Sequence, residues 1–180
     1  MNVPVYDPEE QIDIIDGTGR VLSSTTKVLA HREGLLHATV IGQLINGKGE
    51  FCFVQQSGDR QDAGQFVSPV GGHVRAGESW EAALIREAEE EVGITPRKYK
   101  MVGKTIYNRD VLGRHENHFF VCYEIYSDET PTLNHESVGF RRFSVDEIKK
   151  ALRENPDLFG AAWHHLFKNL YPQIYNTLQG

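Results

Sequence analysis

The stretch Gly72 to Ile94, GHVRAGESWEAALIREAEEEVGI, constrains this chain more than any other. Ser79 is a residue type that caps helix N-termini, and Glu78 and Glu81 sit where the positive helix end favours acids. Gly93 falls where a helix closes in a left-handed turn. The spacing predicts a glycine-bearing loop and then a helix, with Ala82, Ile85, Ala88 and Val92 as its stripe toward a core. A second face carries Glu87, Glu90 and Glu91, spaced i, i+3, i+4, so that their carboxylates are expected to converge over one turn. Unpaired acids on one helix face repel by roughly 0.2–0.5 kcal/mol per pair. A hard divalent cation reverses that sign, because Mg²⁺ accepts carboxylate oxygens, keeps several waters and bridges to substrate phosphates. Taken alone, the charge run has a plainer alternative, a solvated acidic face.

The run does not stand alone. Gly72, Glu78, Arg86, Glu87, Glu90, Glu91 and Gly93, with apolar Ala88 and Ile94, fill every fixed position of the pattern G-x5-E-x7-R-E-U-x-E-E-x-G-U. The stretch therefore resembles the Nudix box. The resemblance implies an α/β fold, a Nudix-type α/β/α sandwich built on a mixed β-sheet. It implies hydrolysis of a diphosphate bond in a nucleoside diphosphate linked to another moiety. It also implies Mg²⁺ or Mn²⁺ held by Glu87, Glu90 and Glu91 with help from the Gly72 carbonyl. Glu78 and Arg86 are then a structural pair tying loop to helix, and Gly93 a structural terminator. For the proton acceptor it offers Glu87, with Glu136 as a second candidate because some relatives place an acid in that loop. An exposed loop acid is the plain reading of Glu136.

The flanks add a second resemblance. IDGTGRVL, HREGLLHATV and GGHV are similar to the branch that contains isopentenyl-diphosphate isomerase. In that branch, positions resembling His31, His37, His73 and Glu116 bind a metal, and such a set suits a transition ion. Any one histidine is more often a hydrogen-bonded structural residue. The isomerase's catalytic cysteine appears here as Gly71, and its catalytic glutamate as His118. Allylic isomerisation needs an acid and a base on opposite faces of an alkene. Glycine can be neither, so hydrolysis is the expected reaction. An isomerase-like enzyme acting on isoprenoid diphosphates and a non-catalytic ligand-binding module stay as alternatives.

At 180 residues the chain suits a single domain over 1–180. A short N-terminal hairpin is expected at 11–24 around Gly17-Thr18-Gly19, then a connector at 25–34. Strands follow at 36–45 and 50–56, joined at Asn46-Gly47, and a surface loop at 57–66. After the box helix come a strand at 100–109, a loop at 111–117, and strands at 118–126 and 140–143. Helices fill 145–177: Ser144 and Glu147 read as a capping box, and Asn155-Pro156 as the start of the last helix. Cys52 and Cys122 fall in apolar runs and read as buried thiols. The net charge of −6, without a basic stripe, argues against duplex nucleic acid. No apolar run reaches membrane-span length, and MNVPVYDPEE lacks a signal-peptide core, so a cytoplasmic protein is expected. The expected partner is a small-molecule diphosphate. A homodimer through a strand edge or the aromatic C-terminal helix is left open.

Overall fold

His37–Ile45 (β3) is buried along almost its whole length, as an apolar, β-branched run covered on both faces should be. In the computed structural model, which describes residues 7, 9–58, 62–111 and 113–176, this strand is the axis of a mixed sheet. Two strands precede it, Gln11–Ile15 (β1) and Val21–Thr26 (β2), joined as the expected hairpin. Lys27–Glu33 (α1) leads into β3. Phe51–Gln56 (β4), Phe66–Val67 (β5) and Val70–His73 (β6) follow it, then the box helix Trp80–Val92 (α2). Tyr99–Val111 (β7) and Arg114–Tyr126 (β8) form a long antiparallel hairpin, and Ser137–Phe143 (β9) returns beside β4. Val145–Glu154 (α3), Ala161–Leu170 (α4) and Pro172–Tyr175 (α5) end the described chain.

One edge of β3 pairs in parallel with β8, from His37 opposite His118 to Ile45 opposite Tyr126. Its other edge is shared by β1, β6 and β4, all antiparallel. Successive side chains alternate between faces. Val40 and Leu44, with Val121, Tyr123 and Ile125, pack against Leu84, Ala88 and Val92 of α2. Phe120 and Cys122 face the other way, into a core with Phe53, Phe143, Ile148, Trp163 and Phe167 under the C-terminal helices. Burying a side chain such as Leu84 or Phe167 contributes about 2 kcal/mol. Helices on both faces of a mixed sheet are the expected sandwich. Cys52 and Cys122 are buried and unbridged. Among the described residues no helix is long and apolar enough to cross a membrane.

Several local expectations are corrected. The connector at 25–34 contains α1, whose Leu29 N–H is accepted by Thr26 Oγ1 at 3.2 Å and which closes on Gly34 at φ 63°. Seven residues are too few to show a helical period, so the sequence pattern is silent. The core stripe of α2 is Ala83, Leu84, Ala88 and Val92; Ala82 is exposed and Ile85 half-buried. The helix is rolled so that Arg86, Glu87 and Glu91 can enter the site. The loop at 111–117 is mostly strand, closing at Gly113 with φ 74°. Polar cross-strand pairs, Asn108 with Asn117 at 2.9 Å and His115 with Asp110 at 2.7 Å, replace the apolar alternation that marks strands. Asn155-Pro156 opens only a single 3₁₀ turn, and α4 begins after Gly160. At the β3–β4 turn it is Gly49, not Gly47, that has positive φ, because Asn46 Oδ1 accepts from both Lys48 and Glu50 and lengthens the loop. Residues 59–61, within the loop expected at 57–66, and residue 177, the end of the expected helices, lie outside the described residues.

Candidate active site

The box is built outward from its helix caps. Ser79 Oγ accepts from Ala82 N at 3.1 Å, and Gly93 closes the helix at φ 65°, as expected. Arg86 is the hub of the loop. Its Nε and one terminal nitrogen grip Glu78 at 2.9 Å each, and that nitrogen also donates to the His73 carbonyl at 3.0 Å. Its other terminal nitrogen donates to Glu87 Oε1 at 2.5 Å. A forked guanidinium–carboxylate pair of this kind fixes geometry as well as charge. Glu78 Oε2 further accepts from the Arg75 backbone at 2.9 Å, so the loop is tied to the helix at both ends. A β-carbon on Gly72 would overlap the Glu87 carboxylate, so only glycine leaves that acid its place.

Burial pushes the Glu87 carboxyl above its ordinary range, against the pull of Arg86. Glu91 is raised further, by burial first and by the neighbouring Glu87 charge second, although its Oε2 accepts from Gly71 N at 2.7 Å. Glu90 is two-fifths exposed and lies 3.8 Å from Arg86. These acids share a helix face, yet their oxygens do not meet in one cluster. Arg86 draws Glu87 one way and the Gly71 N–H draws Glu91 another. Buried carboxylates that resist ionising together have the charge balance a divalent cation would relieve, so the donor set fits Mg²⁺ or Mn²⁺.

A tighter cluster lies beside them. The β3–β8 register puts His37 next to His118, the β3–β6 register puts His73 next to Thr39, and α1 delivers His31. Among the described residues, His31, His37, His73 and His118 each offer a ligand nitrogen within 4.8 Å of all the others. His31 Nε2 is 3.3 Å from His118 Nε2 and 3.2 Å from His73 Nε2. His37 Nδ1 donates to the Leu35 carbonyl at 2.7 Å, leaving Nε2 as a bare acceptor, buried without a partner. A backbone carbonyl behind the ring is how ligating histidines are oriented. Burial lowers the His37 pKa. It lowers that of His73 much further, with the other three rings adding repulsion. Four imidazoles whose ring nitrogens converge are a donor set suited to a transition metal.

The expected set is thereby amended. Three of its members, His31, His37 and His73, are in the cluster, and the fourth is His118. Glu116 stands outside it, its Oε2 accepting from Arg109 Nε at 2.8 Å. His118 follows Glu116 by two residues on the same strand face, the spacing by which the sequence hints at it.

Two cavities open on these groups. The larger, about 670 Å³, is lined by Glu87, Glu90, His31, His73, Lys27 and Arg75. The smaller, about 340 Å³, runs under α4 between Thr39, Asp62, Tyr107, Arg109, Phe120 and Trp163. Both are lined by Gly71, Glu91 and Glu136, so Glu136 stands at their junction.

Residues 35–162 match the family model for the NUDIX domain. The chain belongs to the Nudix family. The isopentenyl-diphosphate Delta-isomerase of Photobacterium profundum is 29% identical over 175 residues, covering 92% of each chain. An uncharacterized Nudix hydrolase of Streptomyces coelicolor is 37% identical over 91 residues, 47% of this Nudix chain and 48% of the relative. Among solved structures, DR0079 of Deinococcus radiodurans superposes with a TM-score of 0.71 at 21% identity, over 90% of this chain and 99% of that one, a likeness of fold.

Proposed function

We propose that this Nudix chain is a Mg²⁺- or Mn²⁺-dependent hydrolase of a diphosphate bond in a nucleoside diphosphate linked to another moiety. The observation that carries the reading is the junction of the two cavities. There the box acid Glu91 and the loop acid Glu136 meet, while Gly71 contributes no side chain. Glu87, Glu90 and Glu91 would hold a divalent cation, with the Gly72 carbonyl at hand, and when bound it would supply charge neutralisation of the diphosphate and activation of water. Glu136 takes the proton from the attacking water, since Arg86 holds Glu87 Oε1 at 2.5 Å. The new bond is from water oxygen to phosphorus, and the bridging P–O bond breaks to release a monophosphate. Lys27 and Arg75, both paired with Glu10, border the larger cavity and position the phosphates. The His31, His37, His73 and His118 set would hold a second ion.

The isomerase-named relatives favour a second reading, allylic isomerisation of an isoprenoid diphosphate. That reaction needs two proton-transfer groups across an alkene. At Gly71 there is no side chain, and His118 is drawn into the histidine cluster. The test is product release from nucleoside triphosphates, sugar nucleotides, dinucleotides, CDP-alcohols and isopentenyl diphosphate, with Mg²⁺, Mn²⁺ or chelator. Chelator-sensitive cleavage of one class, abolished by Glu90→Gln with Glu91→Gln in a folded protein, is expected. Retained metal-dependent activity in that double variant, or conversion of isopentenyl diphosphate to its allylic isomer without cleavage of anything, overturns the assignment.

A further inference from the structure

The four histidine rings are arranged as a closed shell. Their six centroid separations run from 4.8 to 5.6 Å, so each ring is nearly equidistant from the other three. A square of rings, as in the planar sites of Cu²⁺ and Ni²⁺, would make its diagonals ~1.4 times its sides. Near-equal separations are those of a tetrahedron. Zinc–imidazole bonds of ~2.0–2.1 Å put ring centres ~3.2 Å from the metal and so ~5.2 Å from one another. The same bonds give nitrogen–nitrogen edges of ~3.3–3.4 Å. His31 Nε2 lies 3.3 Å from His118 Nε2 and 3.2 Å from His73 Nε2.

Hydrogen bonding among the rings does not account for this packing. An imidazole nitrogen has one in-plane site, a proton or a lone pair. His31 Nε2 faces two other nitrogens with that one site. His37 is fully buried, and its Nε2 has no hydrogen-bond partner among the described residues. One central cation would meet all four nitrogens. His31 and His73 border the larger cavity and His118 the smaller, which gives the ion a way in. No carboxylate completes the shell, since Glu116 is turned to Arg109 Nε at 2.8 Å. Mg²⁺ does not suit such a site, because it demands oxygen ligands in an octahedron. Four protein ligands leave a tetrahedral ion no position for water or substrate, and this separates structural zinc sites from catalytic ones. We infer that His31, His37, His73 and His118 form a closed tetrahedral site for Zn²⁺, which fastens β6 to α1, β3 and β8. What β6 carries makes that fastening matter to the box: the Gly71 N–H on Glu91 at 2.7 Å and the His73 carbonyl on Arg86 at 3.0 Å. Zn²⁺ here would be the second ion of the reading above, on which this role rests, and it would be bound whichever diphosphate the box cleaves.

The test titrates the full chain, freed of metal by chelator, with Co²⁺ as a visible stand-in for Zn²⁺. Mg²⁺ is present in excess to compete at the carboxylates. One equivalent of Co²⁺ should give a visible absorption tenfold or more stronger than that of the hydrated ion, the mark of a tetrahedral shell. One equivalent of Zn²⁺ should abolish it. Azide or inorganic phosphate should leave the band unchanged, because no coordination position is open. In His118→Ala a position is open, so its band should shift with azide. Zn²⁺ at 100 times its dissociation constant should raise the wild-type Tm by about 5–10 °C, and that of His118→Ala by less than half as much. A wild-type band no stronger than that of hydrated Co²⁺, a wild-type band that shifts with azide, or a Tm that Zn²⁺ does not raise overturns the inference. These three readings come from wild type alone, so they decide the matter even if His118→Ala does not fold. Bound but weakly absorbing Co²⁺ would keep a second ion and refute its closed tetrahedral site. A closed, stabilising ion in a chain that cleaves no diphosphate keeps this site, and the hydrolase reading alone falls.

Discussion

Replacing Arg86 by Met tests the claim that one side chain holds the box in shape. Arg86 makes four hydrogen bonds of 2.5–3.0 Å, to Glu78, Glu87 and the His73 carbonyl. Its side chain is 17% exposed, and those of Glu78 and Glu87 are 15% and 13% exposed. Methionine keeps the stem but strands two largely buried carboxylates. Breaking a fully buried pair costs about 3–5 kcal/mol. With some solvent reaching all three groups, ~3 kcal/mol is the working figure. In a chain of 180 residues each kcal/mol moves Tm by about 2–4 °C, so Arg86→Met should lower Tm by about 6–12 °C. Urea melts at pH 7.5 in chelator give the free energy directly. Adding Glu78→Gln should then cost less than it does alone, because the stranded charge is gone, with a coupling of about 1 kcal/mol or more. A loss below 1 kcal/mol for Arg86→Met, or strict additivity with Glu78→Gln, would refute the reasoning.

Two further outcomes follow from the same geometry. Gly72→Ala forces the Glu87 carboxylate from its place, so turnover should fall about 100-fold while overpacking costs only ~1–3 kcal/mol; near-normal turnover in a folded variant would show that this close approach is idle. In chelator, the depressed pKa values of His37 and His73 make the unfolded chain take up protons below about pH 6.5 that the folded chain refuses. The stability their neutral forms give is present above that pH and lost as pH falls, at up to ~1.4 kcal/mol per unit for each proton. The raised carboxyls of Glu87 and Glu91 act with the opposite sign, their contribution being full in acid and lost as pH rises. They cancel when wild type is compared with His73→Asn, which should flatten the loss between pH 6.5 and 5.5 by about 1 kcal/mol; parallel curves would contradict the buried, neutral state of that ring.

The sequence by itself determined the features that depend on near neighbours. The caps at Ser79 and Gly93, the capping box at Ser144 and Glu147, and the acidic face of α2 are each settled within a few residues of chain. The Glu78–Arg86 tie was legible because both ends lie in one motif. Alternation and length gave β3 and the apolar half of β8, and with the box motif they gave the sandwich. The histidine cluster is different in kind. His118 joins His31, His37 and His73 only because β3 and β8 pair in parallel in one register, and a slip of one residue would turn it to the opposite face. His31 arrives on a seven-residue helix with no readable period. The meeting of two cavities at Gly71, Glu91 and Glu136 depends on where α2, β6 and a distant loop come to rest. Tertiary structure alone decided these, because the contacts between strands and loops far apart in the chain fix which side chains share a face and which of them are left without water.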